Sequence, residues 1–168
     1  MLVNDIMNMN VRTLSPDSRI RDAAIQMCFN KISGMPVVNE NNNVVGILSE
    51  KDILRAMYPG VHEYMQNENT GFEEMESQYK DVINLFAKDL MTTRIYMVNP
   101  DQPVLKAASI MFLHKIRRIP VAVDDKLVGI ISIGDVHKAI FAQSLEQNLQ
   151  SSRHTEEIFR QDKIAAQR

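Results

Sequence analysis

A single cysteine, Cys28, stands in a chain of 168 residues. An intramolecular disulfide and a cysteine-built metal cluster are thereby excluded, and a reducing cytoplasm is the expected home. No stretch approaches the roughly 18 apolar residues of a membrane span. The opening Met1-Leu2-Val3-Asn4-Asp5-Ile6 lacks the basic start and apolar run of an export signal, so a soluble, unexported protein with no membrane partner is expected. Charge is nearly balanced, at a net −2, and the basic residues cluster only around Lys115 to Arg118. That balance gives no broad electrostatic reason to favour nucleic acid.

Signals of catalysis are equally scarce. His62, His114, His137 and His154 show no metal-ligand spacing. Ser49 and Ser132 lack the Gly-x-Ser-x-Gly elbow of a hydrolase. Cys28 falls on the apolar stripe of a helix and reads as packed rather than nucleophilic. The expectation is a protein that is not an enzyme and requires no cofactor or metal.

An internal repeat is present over most of the chain. Asp5-Ile6-Met7 matches Asp89-Leu90-Met91, Leu14-Ser15-Pro16-Asp17 matches Val98-Asn99-Pro100-Asp101, and Pro36-Val37 matches Pro120-Val121. After the loss of one residue in the second copy, Gly46, Ser49 and Asp52 match Gly129, Ser132 and Asp135. Units of some 60 residues bury too little surface to be secure alone, so the copies should pack together.

Both copies have one order of elements. Val11 to Leu14 and Ile95 to Val98 read as short strands ended by Pro16 and Pro100. Ser18 is a candidate cap for a helix with the stripe Ile20, Ala23, Ala24, Met27, Cys28, repeated as Val104, Ala107, Ala108, Met111, Phe112. Strand pairs follow, Met35 to Val38 with Val44 to Leu48 and Ile119 to Val123 with Leu127 to Ile131, and then a second helix carrying Ile53, Leu54 and Met57 or Val136 and Ile140. The predicted fold class is α/β (α+β), as two β-α-β-β-α repeats over residues 1–57 and 85–142. Between them, residues 58–84 form a linker in which Phe72, Met75, Tyr79, Val82, Ile83 and Phe86 recur at helical spacing. Residues 143–168 form a polar tail expected to be helical.

These residues carry a resemblance. The two Asp-[Ile/Leu]-Met openings, the Pro-Asp helix starts, Gly34-Met35-Pro36-Val37-Val38, Arg118-Ile119-Pro120-Val121-Ala122 and the two Gly-x-x-Ser-x-x-Asp turns together resemble a CBS domain pair, named after cystathionine β-synthase. The resemblance implies repeats packed with pseudo-two-fold symmetry, two clefts that take an adenosine derivative such as AMP, ADP, ATP, NAD or S-adenosylmethionine, a homodimer, and regulation of an unidentified effector protein. No enzyme or channel domain accompanies the pair, so its output is expected to pass to a separate partner.

A nucleotide site needs a carboxylate for the ribose diol, donors for phosphate and a slot for the base. Asp52 and Asp135 supply carboxylates, and Ser49 and Ser132 supply hydroxyls at helix starts where free amides favour an anion. The same Ser-x-x-Asp spacing reads equally as a capping box, with the clefts empty and the protein an interaction scaffold. Arg117 and Arg118 stand where the first copy has Ser33 and Gly34, and their forks suit phosphate. By resemblance the base slot is bordered by Thr13, Met35, Pro36, Met97, Ile119 and Pro120.

Overall fold

A computed structural model describes residues 1–58 and 80–146. Helix α1 (Ile20–Asn30) turns Ile20, Ala23 and Met27 inward and stops where Lys31 takes a left-handed conformation, φ 53° and ψ 41°. There the amide of Ile32 donates to the Met27 carbonyl at 3.0 Å, closing the last turn. The hairpin β1 (Gly34–Val38) and β2 (Val44–Ser49) leads into α2 (Glu50–Met57). After the short helix α3 (Ala87–Leu90), the second copy repeats the order. Its elements are α4 (Val104–His114), the hairpin β3 (Arg118–Val123) and β4 (Lys126–Ser132), and α5, which runs from 133 through 146. Lys115 ends α4 as Lys31 ends α1, with φ 53° and ψ 38°.

The structure corrects several expectations. The predicted first strands shrink to single parallel bridges, Leu14 to Val37 and Val98 to Val121. In the first copy the chain turns immediately afterwards, where the Ser18 amide donates to the Ser15 carbonyl. Ser18 does not cap α1, because its hydroxyl accepts from the Ser15 amide instead. The first amides of α1, those of Ile20 and Arg21, donate to the carbonyls of Leu85 and Ile83. Those carbonyls are thus spent on another helix, and Val82 to Phe86 form turns rather than the predicted linker helix. Phe72, Met75 and Tyr79 lie outside the described residues, as does the tail beyond 146. Cys28 and Phe112 face outward rather than into the core.

Each copy is completed by a segment of the other. Val3, wholly buried, belongs to the core of the second copy with Val98, Val104, Met111, Ile119 and Ile131. Val82 and Ala87 belong to the core of the first, with Leu14, Ile20, Met27, Met35 and Leu48. Asn8 bridges Ile130 and Thr92 bridges Ile47, both antiparallel, so each arm extends the other copy's hairpin. Phe86 holds the second arm in place under two cations, Arg19 at 5.4 Å and Lys88 at 5.2 Å, and Lys88 also pairs with Asp17 at 2.7 Å.

The arms explain two parts of the repeated motif. Met91 lies over Gly46, and Met7 lies over Gly129. A Cβ at Gly46 would fall 2.3 Å from the Met91 sulfur, and one at Gly129 would fall 2.7 Å from that of Met7. Glycine is required because a partner's side chain occupies the space. The hairpin ends also join the copies directly: the Val44 amide donates to the Asp125 carbonyl, and the Leu127 amide to that of Asn42, both at 3.0 Å.

Overpacking of this kind costs about 1–3 kcal/mol. Gly46→Ala should therefore lower the urea unfolding free energy by that amount. In a Met91→Ala background the same substitution should cost less than about 0.5 kcal/mol, because the contact is gone.

Candidate functional site

The residues singled out for phosphate and ribose meet at the end of the hairpins opposite their turns. Gly34 pairs with Ser49 and Arg118 with Ser132 across the two ladders, so both Ser-x-x-Asp turns open from the same structural position. Each following helix is tied to the residue before the first strand of its hairpin. The Glu50 amide donates to the Ser33 carbonyl at 3.2 Å, and the Ile133 amide to that of Arg117 at 3.0 Å. The first amide of α2 and of α5 is thus engaged rather than free for an anion.

Both turns are caps. Asp135 Oδ2 accepts from the Ser132 amide at 2.8 Å and the Ser132 hydroxyl at 2.6 Å, while the Asp135 amide donates back to that hydroxyl at 3.2 Å. Asp52 Oδ2 accepts from the Ser49 amide at 2.9 Å and from the Ser49 hydroxyl. In each carboxylate Oδ2 takes both bonds, and no hydrogen bond among the described residues uses Oδ1. All four side chains are half-buried.

The two arginines separate. Arg117 is exposed and makes no side-chain hydrogen bond or ion pair among the described residues. Arg118 is half-buried and crosses to the first copy, donating through NH1 to the Gly34 carbonyl at 2.6 Å and through NH2 to the Ser33 hydroxyl. Burial, and then the like charge of Arg117, lower its pKa below the ordinary arginine value; Glu50 and Asp135 act in the opposite sense. The charge pattern around Arg118 thus includes acids from both copies.

The presumed base slot divides differently. Met35, Pro36, Ile119 and Pro120 are fully buried, with Met35 and Ile119 at the centres of the two cores. Thr13 and Met97 are half-buried, each one residue before the bridge that joins it to its sheet. Thr13 also borders a cavity of about 660 Å³, lined further by Ser15, Asp17, Val38, Asn39 and Asn41. Neither Ser-x-x-Asp turn contributes to that cavity.

A duplicated hairpin with a Ser-x-x-Asp exit matches a known family model, the CBS domain, at residues 3–59 and 87–142. The chain belongs to the CBS domain family. Among relatives of this CBS pair, the protein YhcV of Bacillus subtilis is 30% identical over 80% of the chain and 81% of its own length. CBSX2, a chloroplast CBS domain protein of Arabidopsis thaliana, is 29% identical over 77% of the chain, which spans 58% of that relative. A solved structure of CBSX2 in complex with AMP superposes with a TM-score of 0.66 at 25% identity, covering 85% of this chain and 98% of that one. A putative acetoin utilization protein of Vibrio cholerae gives 0.64 at 28% identity, over 88% and 96%.

Sequence reasoning missed the partner of Arg118. Ser33 entered only as the absence of an arginine, and nothing local in the sequence announces a contact 85 residues away. Repeat alignment did carry a usable sign, since it set Ser33-Gly34 opposite Arg117-Arg118. No helix among the described residues is long and apolar enough to cross a membrane.

Removing a cap costs about 1 kcal/mol. Asp52→Ala and Asp135→Ala should each lower stability by about that amount in urea melts without ligand, because both carboxylates already serve their helices.

Proposed function

We propose that this CBS pair is a regulatory module, not a catalyst, that binds an adenosine-containing nucleotide between its repeats and signals to an effector protein. The observation that carries the reading is the place of Arg117 and Arg118 at the entry of β3, beside the Asp135 turn: Arg118 pairs with Ser132 and the Arg117 carbonyl receives the Ile133 amide. Arg117 offers a free guanidinium for phosphate, and Asp135 keeps an oxygen for a ribose hydroxyl while its other oxygen holds the cap. Capping and ribose binding are then not alternatives. In this reading the base meets the half-buried Thr13 and Met97, above the buried Met35, Pro36, Ile119 and Pro120. Ser49 and Asp52 offer the equivalent turn in the first repeat, without an arginine at its strand. The AMP complex of CBSX2 supports the ligand class.

The competing reading, an interaction scaffold with empty clefts, draws on the closed capping boxes. Thermal unfolding with AMP, ADP, ATP, NAD and S-adenosylmethionine separates the two. Ligand at 100 times its dissociation constant adds about 2.7 kcal/mol, which for a chain of this size is several degrees. We expect a rise with at least one of them that shrinks by half or more in Arg117→Ala. No rise with any would leave the scaffold.

Self-association is the second part of the proposal. Phe29 on α1 is 85% exposed and Leu113, at the equivalent place on α4, is 76% exposed, with Phe112 beside it at 74%. Two repeated apolar faces of this kind suit a two-fold homodimer. The double substitution Phe29→Asp with Leu113→Asp should shift sedimentation from dimer to monomer while leaving helical circular dichroism intact. Sedimentation of the unaltered chain as a monomer would remove this part.

A further inference from the structure

The position of Arg118 in the seam gives the nucleotide reading a mechanism, and the inference rests on that reading. Arg118 is the first residue of β3, and its counterpart in the other repeat is Gly34. A Cβ at Gly34 would meet the Leu48 carbonyl at 3.0 Å and the Ser49 Cβ at 3.1 Å. A side chain at this position of the first repeat is crowded by the strand beside it, and β2 would have to give by a few tenths of an ångström to admit one. One guanidinium serves the seam, and its partners are both in the other repeat.

The two terminal nitrogens of that guanidinium are the fork that takes two oxygens of a phosphate. Here NH1 is spent on the Gly34 carbonyl and NH2 on the Ser33 hydroxyl. Arg118 pairs with Ser132 in its own ladder while its side chain reaches Gly34, which pairs with Ser49, so it lies between the two turns. The guanidinium keeps further N–H donors beyond these two contacts, so an anion held at the Asp135 turn takes it away from the first repeat when it binds end-on through both terminal nitrogens.

We propose that Arg118 is a two-position latch: without ligand it ties the second repeat to Ser33 and Gly34 of the first, and a bound phosphate unties it by competing for the same fork. The latch converts phosphate occupancy into freedom between the repeats, which is a differential contact of the kind a ligand needs to shift a conformational equilibrium. It also makes the fraction of unlatched chain a divisor of phosphate affinity. A nucleoside without phosphate does not compete for the fork and is indifferent to the latch.

The test is isothermal titration of the full chain with AMP and with adenosine, using Ser33→Ala to weaken the latch and Ser33→Asp to strengthen it with a charge. Loss of one bond to a charged group should tighten AMP by about tenfold or more in Ser33→Ala. Ser33→Asp should weaken AMP by at least about tenfold. Adenosine should change by less than about twofold in either variant. AMP affinity that is unchanged or reduced in Ser33→Ala overturns the latch, as does adenosine that moves in parallel with AMP. An unaltered chain that binds neither AMP nor adenosine overturns the latch, and the nucleotide reading falls with it only if ADP, ATP, NAD and S-adenosylmethionine fail to bind as well. An unaltered chain that binds AMP, with flat Ser33 variants, defeats the latch alone.

Discussion

The exchange of arms between the two repeats is the constraint on which the rest of this structure depends. Val3 fills the second core and Val82 with Ala87 fills the first, so neither core closes with residues of its own repeat alone. Burying one such side chain stabilises by about 1.5–3 kcal/mol. That is a large share of the margin available to units this small. The exchange also fixes the relative placement of the repeats, because Asn8 and Thr92 each add to the hairpin of the other copy. Both Ser-x-x-Asp turns inherit their positions from that arrangement.

Upon this near-symmetric frame one asymmetric interaction is imposed. Arg118 reaches across where its counterpart, Gly34, has no side chain, so the cross-repeat contact runs in one direction only at this pair of positions. The two Ser-x-x-Asp turns of a duplicated fold are thereby not chemically equal. Arg117 is left exposed beside the inequality, free of the structural duty that occupies its neighbour.

The sequence made the hairpins, both long helices and the repeat itself legible, because hydrophobic periodicity and turn residues act locally. The two Ser-x-x-Asp turns were legible as caps, and the structure bears that out through Oδ2 of each carboxylate while leaving Oδ1 outside the cap. What escaped was every feature settled by distant partners. Ser18 looked like a cap, but the amides it would have served are taken by Leu85 and Ile83. Phe86 continued a helical stripe, but its ring is held between Arg19 and Lys88 and its neighbours turn. Cys28 and Phe112 sat on a stripe one residue wider than the face that is buried. The glycines of the repeated turns were visible as a motif, yet their cause, a methionine from the other arm, was not.

The crossed arms also order the events of folding. The first repeat obtains its missing core residues once the chain has been made as far as Thr92. The second repeat must wait for its own strands and then recover Val3, made long before them, so its closure spans most of the chain and carries the larger loop-closure entropy. Until those strands are made the N-terminal arm has no surface to cover, and the contact between Asn8 and Ile130 joins the earliest part of the chain to a much later one.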